Sequence, residues 1–468
     1  KADVFVGGMQ ALRAPHGRGA GWGFIGEEGR RWSVKTMLED PAKHVETLAS
    51  ALSSMATAKK ATTVLAIPDL PDLNEGKQEA LLRCLQLLRP GHRLLVWRPV
   101  LSVLAALSDL EISTWKEGQK VGVVRHHSSG FSVQVLRLRL QGQFAPERKT
   151  VGRLVESDCG LDTLIDRANK IVRCAAGNPD RADHVMASNL PWRLALGHQC
   201  SAEPMRQWNG QWEVIEPPER FELPNNPLPA AIGDHLSDAE VILFETPTVG
   251  PVRDQVCELL KQILGRDIFV LRSDAVARGA LEAARRLSIN EPIYYDFLPQ
   301  LCPSGQDADG AKNYDLIPAG ELLPAGQSYR SSRPARLGLV AGMKEINVFI
   351  KKETDDRPRR AIVQLLTPPQ SNQVVELNLQ QTPASGRARL TLASEAFSAP
   401  LVVDWEGSDA LDKSWEEIIQ SLEPSKPTVP NRLVLPCGTD NWFENERGLG
   451  LTELLEGSVD LARIDWET

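Results

Sequence analysis

Near residue 293 the chain changes its pattern, and this limits the available folds more than any other feature. Before that point apolar runs alternate with helical periodicity. Residues 4–6, 62–67, 93–96, 121–124, 131–138, 241–244 and 268–271 read as strands. Residues 45–55, 74–88, 100–107, 161–172, 252–264 and 275–287 read as helices. Aliphatic runs without alternation, such as 62–67 and 241–244, mark strands covered on both faces. Strands alternating with helices make an α/β fold. After residue 293 the helical period almost vanishes. Short strands of period two follow at 327–331, 345–350, 361–366, 374–379 and 387–392, the pattern of a β-sandwich. The boundary is placed at Asp296, giving an α/β module over 1–296, a β-sandwich over 297–405 and a tail over 406–468. In the tail, residues 411–422 form an amphipathic helix with Trp415, Ile418, Ile419 and Leu422 on one stripe. That stripe needs cover from this chain or from a partner.

At 468 residues the chain is too long for one core and suits two or three domains. A hydrophobic share of 42% with 24% charged residues is that of a soluble globular protein. The net charge of -8 argues against a nucleic-acid partner. Seven scattered cysteines include no CxxC pair and no zinc spacing, which predicts free thiols in a reducing cytoplasm. No run approaches the roughly 20 apolar residues of a membrane helix, and no signal peptide is visible.

Isolated motifs are weak. Gly21, Gly23 and Gly26 satisfy GxGxxG but lack a strand before and a helix after, so they predict a flexible loop. Gly76-Lys77 lacks the rest of a P-loop. His126 and His127 sit at a strand-to-turn junction with no third ligand beside them, and read as surface residues. His127, Ser128 and Ser132 lack the GxSxG elbow of a hydrolase. The tryptophans at 192, 208 and 212 suit core filling or a protein contact better than base stacking.

The order of segments is more specific. Thr63-Val64-Leu65-Ala66-Ile67-Pro68 leads through Asn74–Gln78 and a helix to Leu94-Leu95-Val96-Trp97-Arg98-Pro99 and a small-residue helix. The strand pair over 121–138, the strand and helix over 241–264, Ser273-Asp274-Ala275-Val276-Ala277-Arg278-Gly279-Ala280 and the stretch 316–331 follow in order. This set, across roughly residues 1–400, resembles the DnaK-type chaperones, the seventy-kilodalton heat-shock family. The resemblance implies a two-lobed actin-like (ribonuclease H-like) nucleotide-binding module followed by a peptide-binding β-domain. It implies ATP or ADP as ligand, a polypeptide client or partner, and no membrane. The matching nucleotide-binding positions are Lys35, Ser128, Ser129, Gly130 and Gly250.

The family's chemistry is eroded. Its second phosphate loop reads Asp-Leu-Gly-Gly-Gly-Thr-Phe-Asp, where this chain has Arg125-His126-His127-Ser128-Ser129-Gly130-Phe131-Ser132. Its Asn-Glu-Pro glutamate becomes Arg98, and the adenosine loop's glycine pair becomes Glu245-Thr246. With those carboxylates gone, few ligands remain for magnesium. The expectation is a pseudo-ATPase without catalytic or metal residues, serving as a polypeptide-binding adaptor or scaffold. The rival readings are an active ATP-dependent chaperone whose first phosphate loop lies upstream of Lys1, and a sugar-kinase relative, against which the β-domain argues. No helical lid is recognisable after Pro424.

Overall fold

A computed structural model describes residues 23–25, 31–33, 40–49, 62–87, 92–108, 115–175, 190–206, 210–218, 220–224, 228–307, 310–395, 397–405 and 407–422. Lys35, the strand expected at 4–6 and the end of the helix expected over 45–55 lie outside these residues. The described residues belong to one compact unit.

The protein is a mixed α/β structure with several sheets. Strands β1 (Gly23–Ile25) and β2 (Arg31–Ser33) pair antiparallel. Gly23 of the GxGxxG match therefore starts a strand rather than a loop, a correction to the expectation. Strands β3 (Thr63–Ile67) and β4 (Arg93–Trp97) are parallel, joined by helix α1 (Glu75–Leu87). Pro68 and Pro71 end β3, because proline cannot continue a ladder. Asn74 starts α1, its Oδ1 accepting from the Lys77 N–H at 3.0 Å. Helix α2 (Arg98–Leu107) follows β4 without a loop, with Pro99 in the first turn where no N–H is needed.

The largest sheet is built from β5 (Lys120–His127), β6 (Gly130–Gln141), β7 (Gln143–Arg148), β8 (Arg153–Glu156), β11 (Val241–Glu245), β12 (Phe269–Val270), β13 (Tyr295–Phe297) and β16 (Leu322–Pro324). Its order is β12-β11-β5-β6-β7-β13-β16, with β8 also on β6. Strands β5, β6 and β7 run as an antiparallel meander, while β11 and β12 lie parallel to β5. Helices α3 (Leu161–Ala175), α4 (Leu190–Ala195), α5 (Ala231–Leu236), α6 (Gly250–Leu264) and α7 (Ala275–Ser288) complete this part. Strand alternation sends Val124, Phe131, Ile242 and Phe244 to one face, under α3, α5 and α6. It sends Val121, Val123, Leu136 and Leu243 to the other, against α1, α2 and α7. Both faces are buried, which is why these strands read as unbroken apolar runs. Helices α2 and α7 cross at Gly279, where a Cβ would stand 1.9 Å from the Leu101 carbonyl oxygen.

The hairpin β9 (Glu203–Arg206) and β10 (Trp212–Ile215) leaves Trp212 and Val214 exposed. Beyond it come two antiparallel sheets with one core between them. The first holds β14 (Leu301–Asp307), β15 (Gly310–Asn313), β19 (Glu345–Lys352), β20 (Arg359–Gln364) and β24 (Asp409–Ala410). The second holds β17 (Tyr329–Arg330), β18 (Ala335–Leu339), β21 (Gln373–Gln381), β22 (Arg389–Ala393) and β23 (Leu401–Val403). Ile346, Val348 and Ile350 face Leu377, Leu379 and Leu390 in that core. Trp405 closes it and donates from Nε1 to the Ala388 carbonyl at 3.0 Å. The large sheet reaches past the boundary expected at 296, because β16 adds to β13. Helix α8 (Trp415–Leu422) packs on β14 and β15 and buries Trp415 and Ile418, while Ile419 and Leu422 of the same stripe are half-buried.

Among the described residues no helix is long and apolar enough to cross a membrane.

Candidate functional site

Both parallel pairs end at one cleft. Chain reversal after a parallel strand leaves the carboxyl end open for side chains from neighbouring connections. Here Trp97 hands over to Arg98 at the start of α2, and Glu245 ends β11 beside Arg125 on β5. Arg98 donates to Glu245 Oε1 from Nε at 2.7 Å and from Nη2 at 2.5 Å. Ser102, one turn along α2, lies 3.3 Å from Glu245 Oε2. This ion pair joins the β4–α2 connection to the large sheet.

The charges shape one another. Burial pushes the Glu245 carboxyl up, but Arg98 and Arg125 outweigh it and leave the group below the ordinary carboxylate value. Burial, then Arg98, drives Arg125 down to about 10, with Glu245 opposing. The Arg125 side chain makes no hydrogen bond or ion pair among the described residues. Together with Asp69, Ser132 and Gln134 these groups line a cavity of about 10 Å³. That is room for one water molecule, against the roughly 300 Å³ where small-molecule pockets begin.

Behind the cavity lies a buried ionic cluster. Arg148 donates to Asp69 from Nε at 3.0 Å and Nη2 at 2.6 Å, and to Asp296 from Nη1 at 2.8 Å. Gln134 donates to Asp69 at 2.7 Å, and Trp97 Nε1 to Asp296 at 2.6 Å. The guanidinium stacks 4.1 Å from the Trp97 ring. Arg148 and both carboxylates are at least 96% buried, at 3%, 4% and 1% exposure. Two carboxylates share one cation, and burial raises the Asp296 pKa despite Arg148.

The described residues expected to hold nucleotide, Ser128, Ser129, Gly130 and Gly250, do not line this cavity. His126, expected at the surface, is buried at 2% exposure, because strand alternation puts it on the same face as Val124. It stacks on Phe131 with ring centroids 5.0 Å apart. Its Nε2–H donates to the Cys159 carbonyl at 2.6 Å, so Nδ1 accepts from Thr246 Oγ1 at 3.1 Å. Thr248 Oγ1 donates in turn to Thr246 at 2.8 Å. Burial lowers the His126 pKa to about 4, so the ring is neutral at pH 7. In the β5–β6 turn, the Ser129 carbonyl accepts from Ser157 N at 3.0 Å and the Ser128 carbonyl from Asp162 N at 2.8 Å, at the start of α3. The hydroxyls of both serines lie at His127 Nδ1. Gly130 has φ +155°, and a Cβ there would meet the Val155 carbonyl oxygen at 2.1 Å. Gly250 opens α6, and the preceding Val249 N–H is bound to the Leu196 carbonyl at 2.7 Å. Ser128, Ser129 and Gly130 are thus held against residues 155–162 and Gly250 against Gly197, while Arg98, Arg125, Ser132 and Glu245 line the cavity.

The β-strand body joins α1 through polar contacts. Lys352 pairs with Glu75 at 2.7 Å, and Arg387 with Glu79 at 2.7 Å. Gln381 Nε2 donates to Glu75 at 3.0 Å. The sequence carried no signal for Asp69, Arg148 and Asp296, which lie after β3, at the end of β7 and within β13. Among the described residues no group of three His, Cys, Asp or Glu side chains could hold a metal ion. No protein-family model matches this chain, and no curated protein matches it in sequence.

Proposed function

We propose that this chain is a divergent DnaK-like protein: a two-lobed actin-like module with a degenerate nucleotide site, carrying a β-sandwich, that serves as a polypeptide-binding adaptor or scaffold. The observation that carries the reading is the tied cleft. Arg98, Arg125 and Ser132 occupy the positions that correspond to acids in the family. Arg98 is bound to Glu245, and the remaining space suits one water. The two carboxylates that line it, Asp69 and Glu245, are both held by arginines and so are poor ligands for magnesium, and the cavity is too small for a nucleotide. The meander β5–β6–β7 with parallel β11 and β12 supports the ribonuclease H-like assignment.

The polypeptide surface is sought on the β-body. Its loops 340–344 and 366–372 are joined by Gly342 N to the Pro369 carbonyl and Ala341 N to Asn372 Oδ1, both at 2.8 Å. Val340, Met343 and Leu366 project from them, with Leu366 fully exposed. An apolar cluster of this kind at the end of a sheet suits the side chains of an extended peptide. The test is fluorescence anisotropy of labelled, extended apolar peptides on the whole chain, beside steady-state ATP turnover. Saturable binding weakened by Leu366→Asp, with no turnover, supports the reading. Magnesium-dependent turnover, or no peptide binding, overturns it.

A further inference from the structure

We propose that an arginine band along β17 and β18 selects acidic residues: it receives the carboxylates of an extended polypeptide whose apolar part sits on the loops 340–344 and 366–372. The apolar end of this ligand rests on the polypeptide reading; the acidic end adds a sequence class to it. Strand alternation builds the band. Leu337, Leu339, Leu377 and Leu379 point into the core, so Arg336, Glu376 and Gln380 face outward. Arg330 and Arg389 flank Gln380 in one row across three strands. Arg336 stands in register with Glu376.

Between Arg330 and Ala335 the edge strand bulges, since residues 331–334 stand against only 378–379 of β21. The bulge carries Arg333, which is exposed. The side chains of Arg330, Arg333 and Arg389 make no hydrogen bond or ion pair among the described residues. Arg336 reaches Glu376 only at 3.9 Å, with both side chains exposed. Glu376 is the one acid on this sheet face among the described residues. Asp404, just past β23, lies 4.0 Å from Arg387, which Glu79 already holds. Four guanidinium groups thus share one carboxylate, on a chain whose net charge is -8. Screening within about 8 Å lets such a patch act apart from the net charge.

The neighbourhood of the band points to a polypeptide. Gly338 lies opposite the exposed Val374, and β18 runs directly into the loop that carries Val340 and Met343. One extended chain along this edge meets apolar side chains at one end and guanidinium groups at the other. Tyr314 Oη donates to the Arg336 carbonyl at 2.7 Å. The edge is therefore closed to a continuous ladder there, and recognition falls to side chains. A guanidinium fork takes a carboxylate by both oxygens. A single-stranded nucleic acid would also need rings for base stacking. The one aromatic residue of these strands, Tyr329, instead donates its hydroxyl to the Leu316 carbonyl at 2.9 Å.

The experiment is fluorescence anisotropy on the full chain with labelled peptides that share one extended apolar segment, followed by serines, by glutamates or by lysines. At low salt the glutamate peptide is expected to bind about tenfold more tightly than the serine peptide, the effect of a few exposed ion pairs of ordinary strength. The lysine peptide should bind more weakly than either. The advantage should vanish at high salt. It should vanish also in the triple variant Arg330→Gln, Arg333→Gln, Arg336→Gln, with serine-peptide binding unchanged. Arg333→Gln alone, in the bulge, is expected to cost about twofold to threefold, and this arm decides if the triple variant does not fold. Equal affinity for all the peptides, or an advantage that survives these substitutions, overturns the proposal and leaves the polypeptide reading standing. No binding of the serine peptide overturns the polypeptide reading and the proposal with it. A single-stranded oligonucleotide that displaces the glutamate peptide at lower concentration overturns the assignment to a polypeptide.

Discussion

Replacing Arg148 with methionine tests the buried cluster directly. The substitution removes three charge-assisted hydrogen bonds, two to Asp69 and one to Asp296, while keeping much of the apolar stem. It leaves two carboxylates at 4% and 1% exposure with only neutral donors: Gln134 for Asp69, Trp97 and Tyr294 for Asp296. Breaking a buried pair from one side costs about 3–5 kcal/mol. That is a large part of the roughly 5–15 kcal/mol that holds a domain folded. The loss should depend on pH. In the variant Asp296, whose pKa burial already raises above the unfolded value near 3.8 against the pull of Arg148, loses that opposing charge, so the folded state binds more protons. Stability then falls as pH rises and is regained on acidification through the folded value. Urea denaturation followed by circular dichroism, for wild type and variant at pH 8 and pH 5, measures the gap at each pH. It should narrow at pH 5. Adding Asp69→Asn and Asp296→Asn to Arg148→Met should recover most of the loss, because no buried charge remains. A loss below about 1 kcal/mol, or a gap that does not change with pH, would refute the assignment of this cluster as a desolvated ionic core.

Gly279→Ala should destabilise by roughly 3 kcal/mol or more, read as a lowered thermal midpoint, because its Cβ would stand 1.9 Å from the Leu101 carbonyl oxygen and push α2 from α7. His126 should weaken the fold in mild acid: its pKa is near 6.5 unfolded and about 4 folded. The unfolded state therefore binds the extra proton, and stability is lost as pH falls through that window, by up to roughly 3 kcal/mol; a His126→Phe variant whose acid limb is no flatter than the wild type's would refute this. Glu79→Ala should cost about 1 kcal/mol or less, since the pair with Arg387 is partly exposed. Burial pushes the Glu79 carboxyl up, but Arg387 outweighs it and holds the pKa below 4.5. The contribution is thus present above that value and fades below it, and a double-mutant cycle with Arg387→Ala in urea should give the same small coupling at pH 7 and less near pH 3.

The buried strands were legible because both faces of the large sheet are covered. Runs such as 64–67, 121–124 and 241–244 have no solvent side, and the structure places strands there within a residue or two at most ends. Strand β7 carries Pro146, Glu147 and Arg148, and Arg148 is satisfied only by residues far away in sequence, so no local pattern marks it. Pro303 hid β14 in the same way, since it reads as a break where the ladder tolerates it. His126 could have been placed inside by counting in twos from Val124, but the polar pair His126-His127 suggested a surface turn. Arg98 and Arg125 stood out as basic residues at positions where an acid was expected. Their relation to Glu245 did not, because Arg98 and Glu245 are 147 residues apart and meet only through the order of the sheet.

The two joints of the β3–β4 segment differ in kind, and that decides which yields first. Toward the large sheet, the Arg98–Glu245 pair is backed by a shared apolar cluster in which Leu101 and Leu104 of α2 pack with Val121 and Leu243. Apolar burial is insensitive to salt and to mild acid, so the joint persists when the ion pair is screened. Toward the β-strand body, the contacts from α1 are Glu75 with Lys352 and Gln381, and Glu79 with Arg387. Ala384 is the buried member of the β21–β22 turn that reaches the apolar cluster. Such an interface is polar like those between mobile domains. Of its two ion pairs, Glu79–Arg387 is open enough for salt to screen, while Glu75–Lys352 is nearly enclosed. Loss of the outer pair leaves the body held by Lys352 and Gln381 on Glu75, the Gly386 N–H on Gln78 and one small apolar contact, whereas loss of the Arg98–Glu245 pair leaves an entire core in place. The joint between α1 and the β-body is therefore the weaker of the two.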